Sequence, residues 1–182
     1  WSTPWNAVLS SFSVSGPKLL MSASPPGAST HAGTFFAGLD VRALDFTESA
    51  ARYERGQDPM TALVPIHPSF EDRPGVPDRV FTSLDQAAYR RQVAAWCRLL
   101  ETVDPPDVYH VHHLTHVNDA VTTRGAIPVV VHLHGTELKL LDAIRHRADD
   151  LRPHASAWQR RLHGAARRAV CPRVLPAQLL HS

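Results

Sequence analysis

The chain has 182 residues, enough for one domain with a sizeable core. Hydrophobic residues make up 43% and charged residues 20%, the balance of an ordinary soluble globular protein, and a formal net charge of +2 gives no reason to expect a nucleic-acid or membrane-surface partner. Two cysteines, Cys97 and Cys171, stand far apart with no CxxC or metal-type spacing, which argues for free thiols in a cytoplasmic chain rather than a disulfide framework. No apolar run approaches the roughly 20 residues of a transmembrane helix, and no basic start followed by an apolar stretch suggests a signal peptide. Twelve histidines and fifteen prolines are the unusual features.

Residues 1–17 mix Ser, Pro and Trp without helical or strand period, and are expected to form a poorly ordered leader ahead of a domain over 18–170. Residues 18–22 (KLLMS) form a short apolar run. The turn-rich segment Ser24-Pro25-Pro26-Gly27-Ala28 follows it, and then HAGTFFAGL, which suits a short helix on a sheet. Residues 41–46 (VRALDF) alternate apolar and polar, as a strand with one wetter face does. Strand, Gly-bearing loop, helix and strand open an α/β unit.

Residues 47–82 are long and studded with proline (Pro59, Pro65, Pro68, Pro74, Pro77), and a connection of that length is usually functional or mobile. Ser83-Leu84-Asp85-Gln86 matches a capping box. Behind it Tyr89, Val93, Trp96, Leu100 and Val103 recur at helical spacing, which predicts the best-defined helix of the chain over 83–103. Pro105-Pro106 ends that helix, and residues 108–112 (VYHVH) read as a strand. A helix over 114–123 follows, closed by Gly125. Residues 127–133 (IPVVVHL) are β-branched and apolar on both faces up to His132, which predicts a central parallel strand covered on both sides. A helix is expected over 136–147, with Leu138, Leu141, Ile144 and Arg145 inward and Thr136 capping it. A last one is marked by Trp158, Leu162, Ala165 and Ala169, with Arg160, Arg161, Arg167 and Arg168 as its solvated face. The fold class is therefore α/β, a single domain with a Rossmann-like parallel sheet and flanking helices.

Chemistry is expected at the carboxyl ends of two strands, since parallel sheets meet ligands there. These ends carry His110-Val111-His112-His113 and His132-Leu133-His134-Gly135-Thr136-Glu137. Residues 110 and 112 share a strand face, as do 132 and 134. His110 and His132, inside their strands, read as imidazoles filling polar gaps beside the core, whereas His134, directly before Gly135, reads as a site residue. Four imidazoles at neighbouring strand ends could hold Zn²⁺, but their spacing fits no HExxH-type pattern and no carboxylate stands among them, so no metal is expected. A serine nucleophile has no GxSxG elbow to support it. The loop around Gly27 could bring backbone N–H groups to a phosphate, although a lone Gly is equally a plain tight turn.

Residues 106–141, PDVYHVHHLTHVNDAVTTRGAIPVVVHLHGTELKLL, resemble the N-terminal domain of family 4 glycosyltransferases. That family has a strand ending in an HxH-like pattern, a helix, Gly-Ile-Pro, and an apolar strand closing on His-Gly. Gly125-Ala126-Ile127-Pro128 and His134-Gly135 stand in that order, and residues 18–46 are similar to the family's first βαβ unit. The resemblance implies one half of a GT-B enzyme, two facing Rossmann-like domains with the active site between them. It implies retaining transfer of a sugar from a nucleotide-diphosphate sugar to a sugar-acceptor small molecule, without a metal or other cofactor. His134 would be catalytic beside the transferred sugar. Gly27 and Ala28 would approach the donor diphosphate, and His112, His113, Gly135, Thr136 and Glu137 would contribute to substrate binding.

Three features depart from that pattern. Pro26-Gly27-Ala28 replaces two adjacent glycines, the first helix is short, and Pro172 and Pro176 interrupt the place of a further strand. The sequence thus reads as a truncated product with an irregular tail over 171–182, inactive without a donor-binding domain. Two rival functions remain: a non-catalytic remnant or binding module of the same fold, and a metal-dependent hydrolase using the histidines.

Overall fold

The computed structural model describes residues 8–12, 18–22, 40–70, 75, 77–147 and 154–168. Within them the chain is α/β: a five-stranded sheet, five α-helices and two short 3-10 turns. The strands are β1 (Val8–Phe12), β2 (Lys18–Ser22), β3 (Asp40–Leu44), β4 (Val108–His112) and β5 (Val129–His132), in the spatial order β3-β2-β1-β4-β5. The helices are α1 (Thr47–Glu54), α2 (Gln86–Glu101), α3 (His116–Thr122), α4 (Thr136–His146) and α5 (Ala155–Arg168). None of them is long and apolar enough to cross a membrane.

β2 pairs with β3 in parallel, β4 with β5 in parallel, and β1 pairs antiparallel with both β2 and β4. Four strands therefore run in one direction and the middle strand runs against them. This departs from the expected all-parallel sheet, and the cause lies in residues 8–12, expected to belong to a leader. A short polar-apolar segment with Lys18 only six residues beyond Phe12 can double back only as an antiparallel neighbour. The loop and helix expected over 24–39, with Gly27 and Ala28, lie outside the described residues, as does the tail over 171–182.

α2 anchors the main core. Tyr89, Trp96 and Leu100 are buried on its inner face, with Val93 partly buried and Val103 buried just beyond its end. Trp96, Leu100 and Val103 pack with Leu44, Phe46, Tyr109, Val111, Val129 and the α3 residues Val117, Ala120 and Val121, and Val93 packs against the same cluster. Burying a side chain the size of Trp96, which has no exposed surface, contributes on the order of 3 kcal/mol. The helix starts later than the capping-box pattern suggests. Asp85 is the cap, its carboxylate accepting from the Ala88 N–H at 2.7 Å, whereas the Ser83 hydroxyl donates to the Val80 carbonyl at 2.8 Å.

The proline-rich stretch after β3 is not a loose connection. It carries α1, the 3-10 turns Pro59–Thr61 and Phe81–Ser83, and a bridge from Ser69 to Val80. Met60, Ala62, Ile66 and Phe81 from this stretch are buried. Met60 and Phe81 join Leu84, Leu114, Leu140, Ile144, Trp158 and Leu162 in a second core below the carboxyl ends of β4 and β5.

Two helix faces differ from the sequence pattern. In α4 the buried residues are Glu137, Leu140 and Ile144, while Leu138 is 56% exposed and Arg145 is exposed. The inward stripe is 137, 140, 141 and 144, and it begins on a carboxylate, which a hydrophobic pattern cannot register. In α5, Arg161 is not simply solvated: its guanidinium lies 4.0 Å over the Tyr89 ring and donates to Gln86.

Candidate functional site

The parallel register of β4 and β5 sets Tyr109 beside Val129, Val111 beside Val131, and His112 beside His132. Because side chains alternate across a strand, Tyr109, Val111 and Val129 meet α2 and α3, and the opposite face collects the histidines. His110 and His112 rings lie 4.7 Å apart, His112 and His132 5.2 Å, and His132 and His134 4.5 Å with only 8° between their planes. His132 and His134 are exposed, and Val130, paired with His110 on the same face, is 45% exposed. Among the described residues β5 is thus an edge strand with one open face, not the doubly covered central strand its apolar run suggests. His132, expected to fill a gap beside the core, belongs to this open cluster.

His112 Nδ1 lies 2.9 Å from His134 Nε2, close enough for one nitrogen to donate a proton to the other. Ligand nitrogens of His112, His132 and His134 all fall within 4.8 Å of one another. Burial, followed by the neighbouring imidazoles His110, His134, His132 and His113, depresses His112 to about 4. Burial, then His113 and His132, lowers His134 as well, although Glu137 pulls the other way. Both rings are therefore neutral at pH 7, each with one donor and one acceptor nitrogen.

His113 belongs to the same cluster, its ring 4.4 Å from that of His134. It adopts a left-handed φ of 69°, donates its N–H to the His132 carbonyl at 2.9 Å and accepts from the Asn118 side-chain amide at 3.0 Å. Its ring is buried and Nδ1 stands 2.5 Å from Glu137 Oε1. Glu137, in the first turn of α4, is fully buried and also accepts from the Leu114 N–H at 3.3 Å. Burial opposes its ionisation, but the bonds from His113, its own N–H and Leu114 outweigh that and lower its pKa. A carboxylate does stand beside the imidazoles, contrary to the expectation from spacing.

Gly135 caps α4 with φ 88°, and no side chain caps the helix. Thr136 does not perform that role: it is the first helical residue, and its buried hydroxyl has no partner. Of the expected site residues, His112, His113, His134, Gly135, Thr136 and Glu137 thus converge on one sheet end, while Gly27 and Ala28 lie outside the described residues. His132 and the pair formed by partly buried His67 and fully buried His116, whose rings are 4.9 Å apart, were not assigned to the site. An HxH pair on each of two adjacent parallel strands was the available signal for His132. For His67 none existed, because it reaches His116 through the folding of the proline-rich stretch.

Neither family models nor curated proteins nor solved structures return a match to this chain.

Proposed function

We propose that this chain is the acceptor-side, Rossmann-like half of a retaining, nucleotide-sugar-dependent glycosyltransferase of the GT-B type. The observation that carries the reading is the β4-α3-β5 unit, whose parallel strands bring His112, His113 and His134-Gly135 together at their carboxyl ends, beside the start of α4. Four co-directional strands support the Rossmann-like element of the proposal, with β1 as its departure.

The electrostatics favour a neutral hydroxylated ligand at this wall. The N-terminus of α4, which otherwise attracts anions, is occupied by the Glu137 carboxylate, and that charge disfavours a diphosphate close by. The exposed, neutral His134 can donate to a sugar hydroxyl or accept a proton from it. Donor diphosphate binding and the water-excluding second wall fall to a separate nucleotide-binding domain.

The test is transfer from a panel of radiolabelled uridine- and guanosine-diphosphate sugars, by this chain alone and fused to the donor-binding domain of a retaining two-domain transferase. Transfer by the fusion and not by the chain alone is expected. Robust transfer by the chain alone, or none by a folded fusion that binds the donor, overturns the proposal.

A further inference from the structure

We propose that His112, His132 and His134 bind a divalent cation of the imidazole-preferring class, Zn²⁺ foremost, and leave a fourth coordination position facing solvent. The donor set is three imidazole nitrogens within 4.8 Å of one another, drawn from two adjacent strands and the residue just past β5. In a tetrahedral Zn²⁺ site with Zn–N bonds of about 2.0–2.1 Å, ligand nitrogens sit about 3.3 Å apart. His112 Nδ1 and His134 Nε2, at 2.9 Å, are already near that spacing. The remaining separations close by at most about 1.5 Å, which side-chain rotation of the exposed His132 supplies without moving backbone.

The chemistry of the cluster points the same way. The His132 and His134 planes are nearly parallel and those of His112 and His132 differ by 19°, so three polar rings are crowded on an exposed face. The buried Glu137 carboxylate meets the His113 ring, which itself lies 4.4 Å from that of His134, and so places a negative charge near the donor set that favours a cation there. No carboxylate oxygen belongs to the donor set, which disfavours Mg²⁺ and Ca²⁺ and suits Zn²⁺, Co²⁺, Ni²⁺ or Cu²⁺. Three protein ligands with an open position can hold a water, the arrangement that makes hydroxide available near neutral pH.

The experiment titrates the chelator-treated full chain with Co²⁺, following the visible absorption of the tetrahedral ion, and then displaces it with Zn²⁺. One equivalent should saturate the band, and Zn²⁺ should abolish it. His132→Ala and His134→Ala, both at exposed positions, should each weaken binding by at least about tenfold, while His110→Ala should leave it unchanged. Zn²⁺ should also raise the thermal midpoint of the wild-type chain and not that of His132→Ala. Absence of a saturable band, or equal affinity in His132→Ala with a native circular dichroism spectrum, overturns the site. No nucleotide-sugar is present, so this result stands apart from that of the transfer assay.

Discussion

His113 Nδ1 meets the Glu137 carboxylate at 2.5 Å, with both side chains buried at the junction of β4 and α4. A carboxylate can only accept, so His113 carries the proton on that nitrogen. The bond ties the turn after β4 to the first turn of α4 and holds the two histidine-bearing strand ends in register. Glu137→Ala should lower the unfolding free energy by about 2–4 kcal/mol, because it removes a charge-assisted bond to His113 and the acceptor of the Leu114 N–H. Urea denaturation reads this directly. A cost under about 0.5 kcal/mol would show that the pair does not organise the junction.

Acid should act mainly through the partly buried His67 and the fully buried His116. His67 donates from Nδ1 to the Pro68 carbonyl at 2.6 Å and its Nε2 has no partner, while neither ring nitrogen of His116 has one. Burial lowers His67 to about 4 and His116 well below its ordinary value. Above pH 6.5 the folded and unfolded chains are both neutral at His67, and stability is at its full value. Between about 6.5 and 4 only the unfolded chain takes the proton, so stability falls by about 1.4 kcal/mol per pH unit, roughly 3 kcal/mol from His67 in all. Glu137 adds a loss in the same direction as pH falls from its ordinary 4.5 through its lowered folded value. Thermal melts from pH 8 to 4 should show this slope. His116→Phe, which keeps a ring and removes two unpaired nitrogens, should flatten it.

Gly135→Ala tests the turn into α4. Nothing lies within 4 Å of a Cβ at that position, so the cost is conformational, from φ 88°. About 1–2 kcal/mol of destabilisation is expected, with the fold retained. A neutral result by chemical denaturation would mean that the turn relaxes to a right-handed conformation.

α2 should be the slowest-exchanging helix. Trp96→Ala should cost about 3–5 kcal/mol, since a fully buried indole leaves a cavity between the sheet and the second helix. Amide exchange by mass spectrometry should give the strongest helical protection over residues 89–100. Faster exchange there than in α4 would contradict the assignment of α2 as the anchor of the core.

In the fused transferase, His134→Ala should reduce turnover by roughly 10²-fold or more. Its exposed position makes the substitution mild for folding. Activity within about threefold of wild type would remove His134 from the catalytic role.

What the sequence by itself determined was local. The apolar spacing of 89, 93, 96, 100 and 103 specified α2, alternation over 41–46 specified β3, and the β-branched run specified β5, because each pattern is a property of a few consecutive residues meeting one apolar surface. His112, His113 and His134 were legible as a cluster for the same reason, standing at the ends of β4 and β5. Tertiary structure decided which of them do what. The inward course of α4 is taken by Glu137 rather than Leu138 because a partner 24 residues away, His113, satisfies its carboxylate. His132 joins the open cluster because the parallel register sets it beside His112. β1 enters the middle of the sheet through hydrogen bonds to β2 on one side and the distant β4 on the other, and no periodicity in residues 8–12 encodes that pairing. Buried polar pairs and strand neighbours are long-range choices, fixed by which groups can satisfy one another once the helices have closed the core.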